Sequence, residues 1–139
     1  MSDRKVTISA RLDQIEKVCD LVGESADSAG FTERDSYHCQ LAAGEACENI
    51  ILHGYQKESA GNIDVTINIE PGEITITLCD QAPAFNPAET PSSREWSDDD
   101  PPIGGLGLVI IHNAMDEVDY KRTDGENCLH MKKLANASS

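Results

Sequence analysis

Two polar side chains stand one helical turn apart within LAAGEACENIILHGY, residues 41–55. Glu45 and Asn49 are four residues apart, so on an α-helix their Cβ atoms lie roughly 6 Å apart. Apolar residues recur around them at helical spacing, which predicts a helix face that packs inward. Burying a carboxylate or a carboxamide costs several kcal/mol unless a partner is present. The pair therefore either belongs to a structural network or faces a ligand.

Small residues surround this pair and favour the ligand interpretation. They leave free volume beside the two polar groups, which predicts a cavity rather than a packed core. These small residues are Ala42, Ala43, Gly44 and Ala46.

A second carboxylate, Asp80, follows an alternating apolar run and is followed by the segment QAPAFNP, residues 81–87. A carboxylate at the exit of a strand can accept a hydrogen bond from an exocyclic amine, which is how a pocket selects adenine. An Asp that only caps a turn is the alternative, and Asp80 alone does not decide between the two.

A third segment, GGLGLVIIHNAM at residues 104–115, begins with glycines and continues as a helix. Glycine lets the backbone approach phosphate groups, and the start of a helix offers free N–H groups and partial positive charge. Close helix packing is the alternative explanation for the glycines. No Lys-Ser or Lys-Thr pair follows, so the segment is not a Walker A loop. It also does not follow a first strand, which argues against a dinucleotide-binding fold.

The elements that position these residues follow from periodicity. Residues 4–10 alternate and predict a strand, and residues 12–29 repeat at helical spacing up to Gly30. Thr32 is a good N-cap for a second helix, which should run to about Leu52 before His53-Gly54 closes it.

Two hairpins are also predicted. Residues 63–69 and 74–78 alternate on either side of Pro71-Gly72, which fits a type II turn, and Asp80 lies at the exit of the second strand. A closing hairpin spans residues 117–123 and 128–134 around Asp124-Gly125.

Between Pro83 and Pro102 the composition changes to proline, serine and acidic residues. Unstructured loops longer than about 12–15 residues are uncommon and are often functional lids. Arg94 is the only basic residue between Lys57 and Lys121, so its charge in this loop is notable. A solvated linker is the alternative.

Composition limits the class of protein. The chain has 139 residues, enough for a single domain with one core, and a formal net charge of −14. This charge disfavours nucleic acid and anionic membranes as partners and makes a basic protein partner plausible. Five cysteines without CxxC spacing predict reduced thiols rather than disulfides or a zinc site. No apolar signal region or membrane-spanning stretch is present, so we expect a cytoplasmic protein.

Taken in order, the three segments form a specific combination. They read Glu45-x-x-x-Asn49, then Asp80 with Phe85, then Gly104-Gly105-x-Gly107-Leu108. This order resembles the N, G1 and G2 boxes of the GHKL ATPase superfamily. The residues within the three segments are most similar to those of the anti-sigma factor serine/threonine kinases of RsbW type. The resemblance covers nearly the whole chain.

The resemblance implies a fold and a domain organisation. We expect an α+β two-layer sandwich of the Bergerat type, with a mixed, mostly antiparallel sheet and the helices on one face. The chain should form one histidine kinase-like ATPase domain over residues 1–139, with an ATP lid at about 86–103.

The resemblance also implies roles for single residues. Glu45 matches the catalytic base, Asn49 the Mg²⁺ ligand, and Asp80 the acceptor for the adenine amine. In the G1 box, Ala82 stands where many members have glycine, and its methyl group is expected to narrow the approach to the base. The remaining nucleotide-binding candidates are Phe85, Gly104, Gly105, Leu106, Gly107, Leu108, His53 and Arg94.

The function implied by the resemblance is transfer of the γ-phosphoryl group of ATP, with Mg²⁺, to a Ser or Thr of a STAS-domain anti-anti-sigma protein. Sequestration of a sigma factor and a homodimer are implied as well. One alternative is a switch that binds nucleotide and a partner with little or no kinase chemistry. A plain α/β interaction domain remains if the three boxes are coincidental.

Overall fold

The computed structural model describes residues 2–57, 59–83 and 105–135. The strands are β1 (Ser2–Ser9), β2 (Asn62–Glu70), β3 (Glu73–Asp80), β4 (Glu117–Thr123) and β5 (Glu126–Leu134). The helices are a 3₁₀ turn (Leu12–Gln14), α1 (Ile15–Ser28), α2 (Glu33–Asn49), a π-helix (Ile50–Tyr55) and α3 (Gly105–Ala114).

The five strands form one sheet in the order β1-β2-β3-β5-β4. All four strand pairs within the described part of the chain are antiparallel, so the predicted parallel component of a mixed sheet is not found there. Strand β5 lies between β3 and the edge strand β4. This order brings the exit of β3 beside the start of β5.

The β2–β3 hairpin confirms the prediction from alternation. Ile63, Val65, Ile67 and Ile69 are buried while the residues between them are not. Gly72 has φ +73°, the left-handed conformation that a type II turn requires at its third position.

The helices cover one face of the sheet, and the core lies between these two layers, as predicted. The buried residues of α1 are spaced along one side of the helix and meet those of α2 and the inward side chains of the central strands. The helical part of this cluster includes Val18, Val22, Ala26, Cys39, Ala42, Ala43, Ala46 and Cys47. No helix of the described residues is long and apolar enough to cross a membrane.

Helix α2 begins as predicted, because Thr32 accepts a hydrogen bond from the backbone N–H of Asp35 at 3.1 Å. The predicted free volume beside its small residues is found at Gly44, which lines a groove, but not at the three alanines. Ala42, Ala43 and Ala46 are fully buried in the core, where small side chains let the helix lie close to its neighbours. The sequence shows where the small residues are, but helical periodicity does not show which side of the helix meets the core.

The end of this helical segment also differs from the prediction. The chain continues as a π-helix to Tyr55, and Gln56 then ends it with φ 68°. Leu52, the predicted end of the helix, is 40% exposed. π-Helical turns are rare and occur often at functional sites.

The prediction of five reduced thiols is wrong for two of them. Cys79 and Cys128 form a disulfide, whereas Cys19, Cys39 and Cys47 are free. The bonded cysteines are register partners on β3 and β5, 49 residues apart in sequence. Counting and spacing of cysteines do not reveal such a pairing, because it depends on the strand order.

The cap of α2 gives a first prediction. Thr32→Ala should lower the free energy of unfolding by about 1 kcal/mol, because it removes the acceptor for the Asp35 N–H. Urea denaturation of wild type and variant measures the difference. Thr32→Ser, which keeps the hydroxyl group, should retain most of the stability, and equal losses in both variants would contradict the role of the cap.

Candidate active site

Helix α2 carries Glu45 and Asn49 one turn apart, as predicted. The two side chains are buried to different extents. Glu45 is half-buried, and burial followed by repulsion from Glu48 raises the pKa of its carboxyl group. Asn49 is only 3% exposed. A carboxylate with a raised pKa is a better proton acceptor near neutral pH than an ordinary one.

The side chain of Asn49 is unusual because it holds an unpaired polar atom. Its Nδ2 is the one buried side-chain nitrogen or oxygen among the described residues that lacks a hydrogen-bond partner. Leaving such a group unpaired costs about 1–3 kcal/mol. A ligand with acceptor atoms would remove that cost, while the amide oxygen is the type of ligand that Mg²⁺ accepts.

Glu45 lines an open groove of about 380 Å³ between α1 and α2. Gly44 helps to form the groove, since a Cβ atom there would lie 3.3 Å from the Sγ atom of Cys19. The other lining residues are Ile15, Cys19, Tyr37, Gln40, Leu41 and Glu48. The carboxylate of Glu45 is therefore at a surface that a macromolecule can reach.

Asp80 ends β3 as predicted and is 7% exposed. Its Oδ1 accepts hydrogen bonds from the backbone N–H of Ala82 and from Nδ2 of Asn127, both at 2.9 Å. Burial raises the pKa of Asp80, and these two bonds together with the charge of Arg122 oppose the increase. Both of these hydrogen bonds fall on the same oxygen of the carboxylate.

Asn127 was not predicted as a site residue, yet it is the centre of a buried polar network. Its Oδ1 accepts from the Tyr120 hydroxyl group and from Arg122 Nη1, the latter at 2.7 Å. Its Nδ2 also donates to the Ala82 carbonyl at 2.9 Å, which Arg122 reaches at 3.2 Å. A polar residue at an inward position, alternating with Leu129 and Met131, is the signal that sequence reading missed.

The π-helix that follows α2 also contacts the segment after Asp80. The hydroxyl group of Tyr55 accepts from the N–H of Gln81 at 3.0 Å and donates to the Asn62 carbonyl at 2.8 Å. A Cβ atom on Gly54 would lie 3.2 Å from the Cβ of Ala82. The Ala82 methyl group thus packs against the π-helix that continues from Asn49.

The glycine-rich segment begins α3, as predicted. Gly105, Leu106, Gly107 and Leu108 are its first four residues, whose N–H groups have no partner within a helix. His53 lies half-buried in the π-helix. The candidates Phe85, Arg94 and Gly104, and the predicted lid at 86–103, lie outside the described residues.

The fold matches solved structures of other proteins. A structure of the RsbU and RsbW domains of Rv1364c from Mycobacterium tuberculosis aligns with a TM-score of 0.68 and 17% identity, over 96% of this chain and 32% of that one. A nucleotide-free catalytic domain of histidine kinase ThkA aligns with a TM-score of 0.54 and 12% identity, over 94% and 97% of the two chains. The fold is therefore shared with the catalytic domain of a histidine kinase.

The family is established by sequence. The chain belongs to the histidine kinase-like ATPase domain family, whose model matches residues 8–133. It is 29% identical to the serine-protein kinase RsbW of Bacillus mycoides over 114 residues, covering 78% of this chain and 71% of the relative. It is 28% identical to that of Halalkalibacterium halodurans over 126 residues, covering 87% and 76%.

The network around Asn127 generates a second prediction. Asn127→Ala removes a hydrogen bond that lowers the pKa of Asp80, so this pKa should rise further. It should also lower the free energy of unfolding by about 1–3 kcal/mol, because buried partners lose their bonds. A ¹³C NMR titration of the Asp80 carboxyl group and urea denaturation measure the two effects. Thr123→Ala, on the exposed end of β4, is the control, and an unchanged Asp80 pKa in Asn127→Ala would contradict the network.

Proposed function

We propose that this chain is an ATP-dependent serine/threonine protein kinase and anti-sigma-type regulator. In this proposal it phosphorylates a STAS-domain anti-anti-sigma protein in a partner-switching system. The observation that carries the proposal is the pair on α2: a carboxylate with a raised pKa on an open groove, one turn from a buried carboxamide with an unpaired nitrogen. The similarity to serine-protein kinases supports it.

ATP is held at its two ends in this proposal. The second oxygen of Asp80 accepts from the adenine amine, while Asn127 and Ala82 keep the carboxylate ionised and oriented through Oδ1. The phosphates lie at the start of α3, where free N–H groups and the helix dipole favour negative charge. Gly104, Phe85, His53 and Arg94 are assigned to the same nucleotide site by the resemblance alone.

Mg²⁺ would be held by the amide oxygen of Asn49. The residue fits this role because Mg²⁺ usually takes one or two protein ligands and keeps several waters and phosphate oxygens. The ion would supply charge neutralisation between the phosphates. The unpaired Nδ2 of Asn49 can donate to a phosphate oxygen at the same time.

Glu45 acts on the substrate hydroxyl group. The carboxylate orients the Ser or Thr hydroxyl and accepts its proton as the oxygen bonds to the γ-phosphorus, and the bond to the β-γ bridging oxygen breaks to release ADP. The N–H groups at the start of α3 stabilise the charge on the transferred group. A raised pKa of Glu45 favours this proton transfer near neutral pH.

The groove beside Glu45 supports a protein as the substrate. It is open rather than enclosed, and Tyr37, which is 59% exposed, forms part of its wall. A loop of a folded partner can bring its hydroxyl group to such a surface. The net charge of −14 favours a partner whose contact surface is basic.

The remaining parts of the proposal rest on the relatives and on the chemistry. A sigma factor as a second partner, a homodimer, and a cytoplasmic location all fit a regulator of transcription that uses ATP. Direct binding of nucleic acid is not part of the proposal, since the chain is strongly acidic.

Nucleotide binding is the first test. ATP with Mg²⁺ at 100 times its Kd should stabilise the protein by about 2.7 kcal/mol, measured as a shift in thermal unfolding. Asp80→Asn keeps an acceptor oxygen for Ala82 and Asn127 but places an NH₂ group opposite the adenine amine, so its affinity should fall about tenfold or more. GTP, which has a carbonyl in place of that amine, should bind wild type weakly. Equal stabilisation by ATP and GTP would contradict recognition by Asp80.

Phosphoryl transfer is the second test. Wild-type protein with labelled ATP, Mg²⁺ and a panel of STAS-domain proteins should yield phosphoserine or phosphothreonine on one of them. Glu45→Ala should still bind ATP but transfer phosphate about 10²–10⁴-fold more slowly, because the proton acceptor is lost. Glu24→Ala, which removes an exposed carboxylate of α1 outside this groove, is the control and should retain transfer. Normal transfer by Glu45→Ala would remove Glu45 from the mechanism, and nucleotide binding without transfer by wild type would favour the sequestration switch.

A further inference from the structure

The Cys79–Cys128 disulfide lies on the face of the sheet that no described helix covers. Both cysteines are half-buried, and their outward neighbours along the strands, Thr77 and His130, are joined at 3.0 Å between Oγ1 and Nδ1. A small thiol compound can reach a bond at such a surface. The two free cysteines of α2 are buried in the core instead.

The disulfide is next to the network that holds Asp80. Cys79 pairs with Cys128 in the register of β3 and β5, and the following pair is Asp80 with Asn127. Because side chains alternate along a strand, the disulfide occupies one face and the Asp80–Asn127 hydrogen bond the other. Each cysteine is covalently adjacent to one partner of that 2.9 Å bond.

Breaking the disulfide forces a rearrangement at this pair of strands. The Cα atoms of the two cysteines are 4.1 Å apart. Two thiol sulfur atoms cannot remain at bonding distance, because non-bonded atoms repel one another inside their contact distance. The side chains must rotate or the strands must separate, and the next pair, Asp80 and Asn127, shares the same two backbones.

We propose that Cys79 and Cys128 form a reversible redox site that controls nucleotide affinity, with the disulfide form holding Asp80 and Asn127 in the binding arrangement. The proposal rests on the nucleotide site proposed above. In a reducing compartment, disulfides are usually transient and serve redox sensing or catalysis rather than as permanent cross-links. A pair of cysteines beside a binding carboxylate fits that pattern.

The chemistry is thiol–disulfide exchange with a dithiol reductant. One thiolate of the reductant bonds to one cysteine sulfur, and the Cys79–Cys128 bond breaks to release the other cysteine as a thiolate, which takes up a proton. The second thiol of the reductant then displaces the first cysteine. The dithiol becomes a disulfide, and the protein gains two electrons and two protons.

Glu126 affects the rate of this exchange. One of its carboxylate oxygens and the two sulfur atoms all lie within 4.8 Å of one another. A neighbouring negative charge disfavours a thiolate, so it makes either cysteine a poorer leaving group. Glu126→Gln should therefore speed reduction and leave the difference in nucleotide affinity between the two redox states unchanged.

The test compares the full chain in its two redox states. Affinity for ATP with Mg²⁺ is measured by calorimetry after oxidation and after treatment with a small dithiol, with the thiol state verified by mass spectrometry. We expect the reduced protein to bind about fivefold more weakly or worse. By linkage, saturating ATP must make the disulfide harder to reduce by the same factor. If the disulfide only stabilised the fold, ATP would not change how easily it is reduced.

Variants and a second readout separate this proposal from the proposed function. The double variant Cys79→Ser/Cys128→Ser should bind ATP like the reduced protein under both conditions, whereas Cys19→Ser should keep the redox dependence. NMR signals of the Asn127 side-chain amide should shift on reduction, with or without nucleotide. Equal ATP affinity in both redox states, or unshifted Asn127 signals, would overturn the redox proposal. Failure of ATP to bind in either state, with the Asn127 shift present, would instead overturn the proposed nucleotide site.

Discussion

The hydrogen bond between Asp80 and Asn127 is the contact on which the rest of the site depends. A carboxylate that is 7% exposed would be protonated or expelled without strong partners, because the charged form loses its hydration. Asn127 provides one donor and the Ala82 backbone another, both at 2.9 Å. This bond exists because β5, and not β4, is the neighbour of β3 in the sheet. The strand order is therefore a requirement of the proposed nucleotide site and not only of the core.

A second constraint joins this network to α2. The π-helix carries Gly54 and Tyr55 onto the segment that leaves Asp80, through the contact with Ala82 and the hydrogen bond to Gln81. Tyr55 has room there because Gly61 has no side chain, and a Cβ atom at Gly61 would lie 2.6 Å from its ring. The π-helix that follows α2 therefore contacts the two residues after Asp80 directly. The two proposed ends of the nucleotide site, Asn49 and Asp80, are held in one packed frame.

The sequence predicts local features of this frame well and its long-range features poorly. The Thr32 cap and the Pro71-Gly72 turn were predicted correctly, because each depends on neighbouring residues. The alanines of α2 were misread, because helical spacing shows which residues share a face but not what that face meets. Asn127 and the disulfide depend on which strands become neighbours, and β3 and β5 are separated by the whole of α3 and β4. A polar residue at an inward strand position was the one available sign of the Asn127 network.

The charge of the chain explains why the proposed site relies on dipoles. A protein of net charge −14 repels ATP at long range, but physiological salt screens this repulsion beyond about 8 Å. Within that distance, the proposed site uses N–H groups at the start of α3 and the carboxamide of Asn49 to attract phosphates, which requires no cluster of lysines. Backbone N–H groups and a carboxamide do not compete for a basic protein partner. The acidic side chains on the surface therefore remain available to bind such a partner. One acidic chain can therefore hold an anion at one place and a cationic protein surface at another.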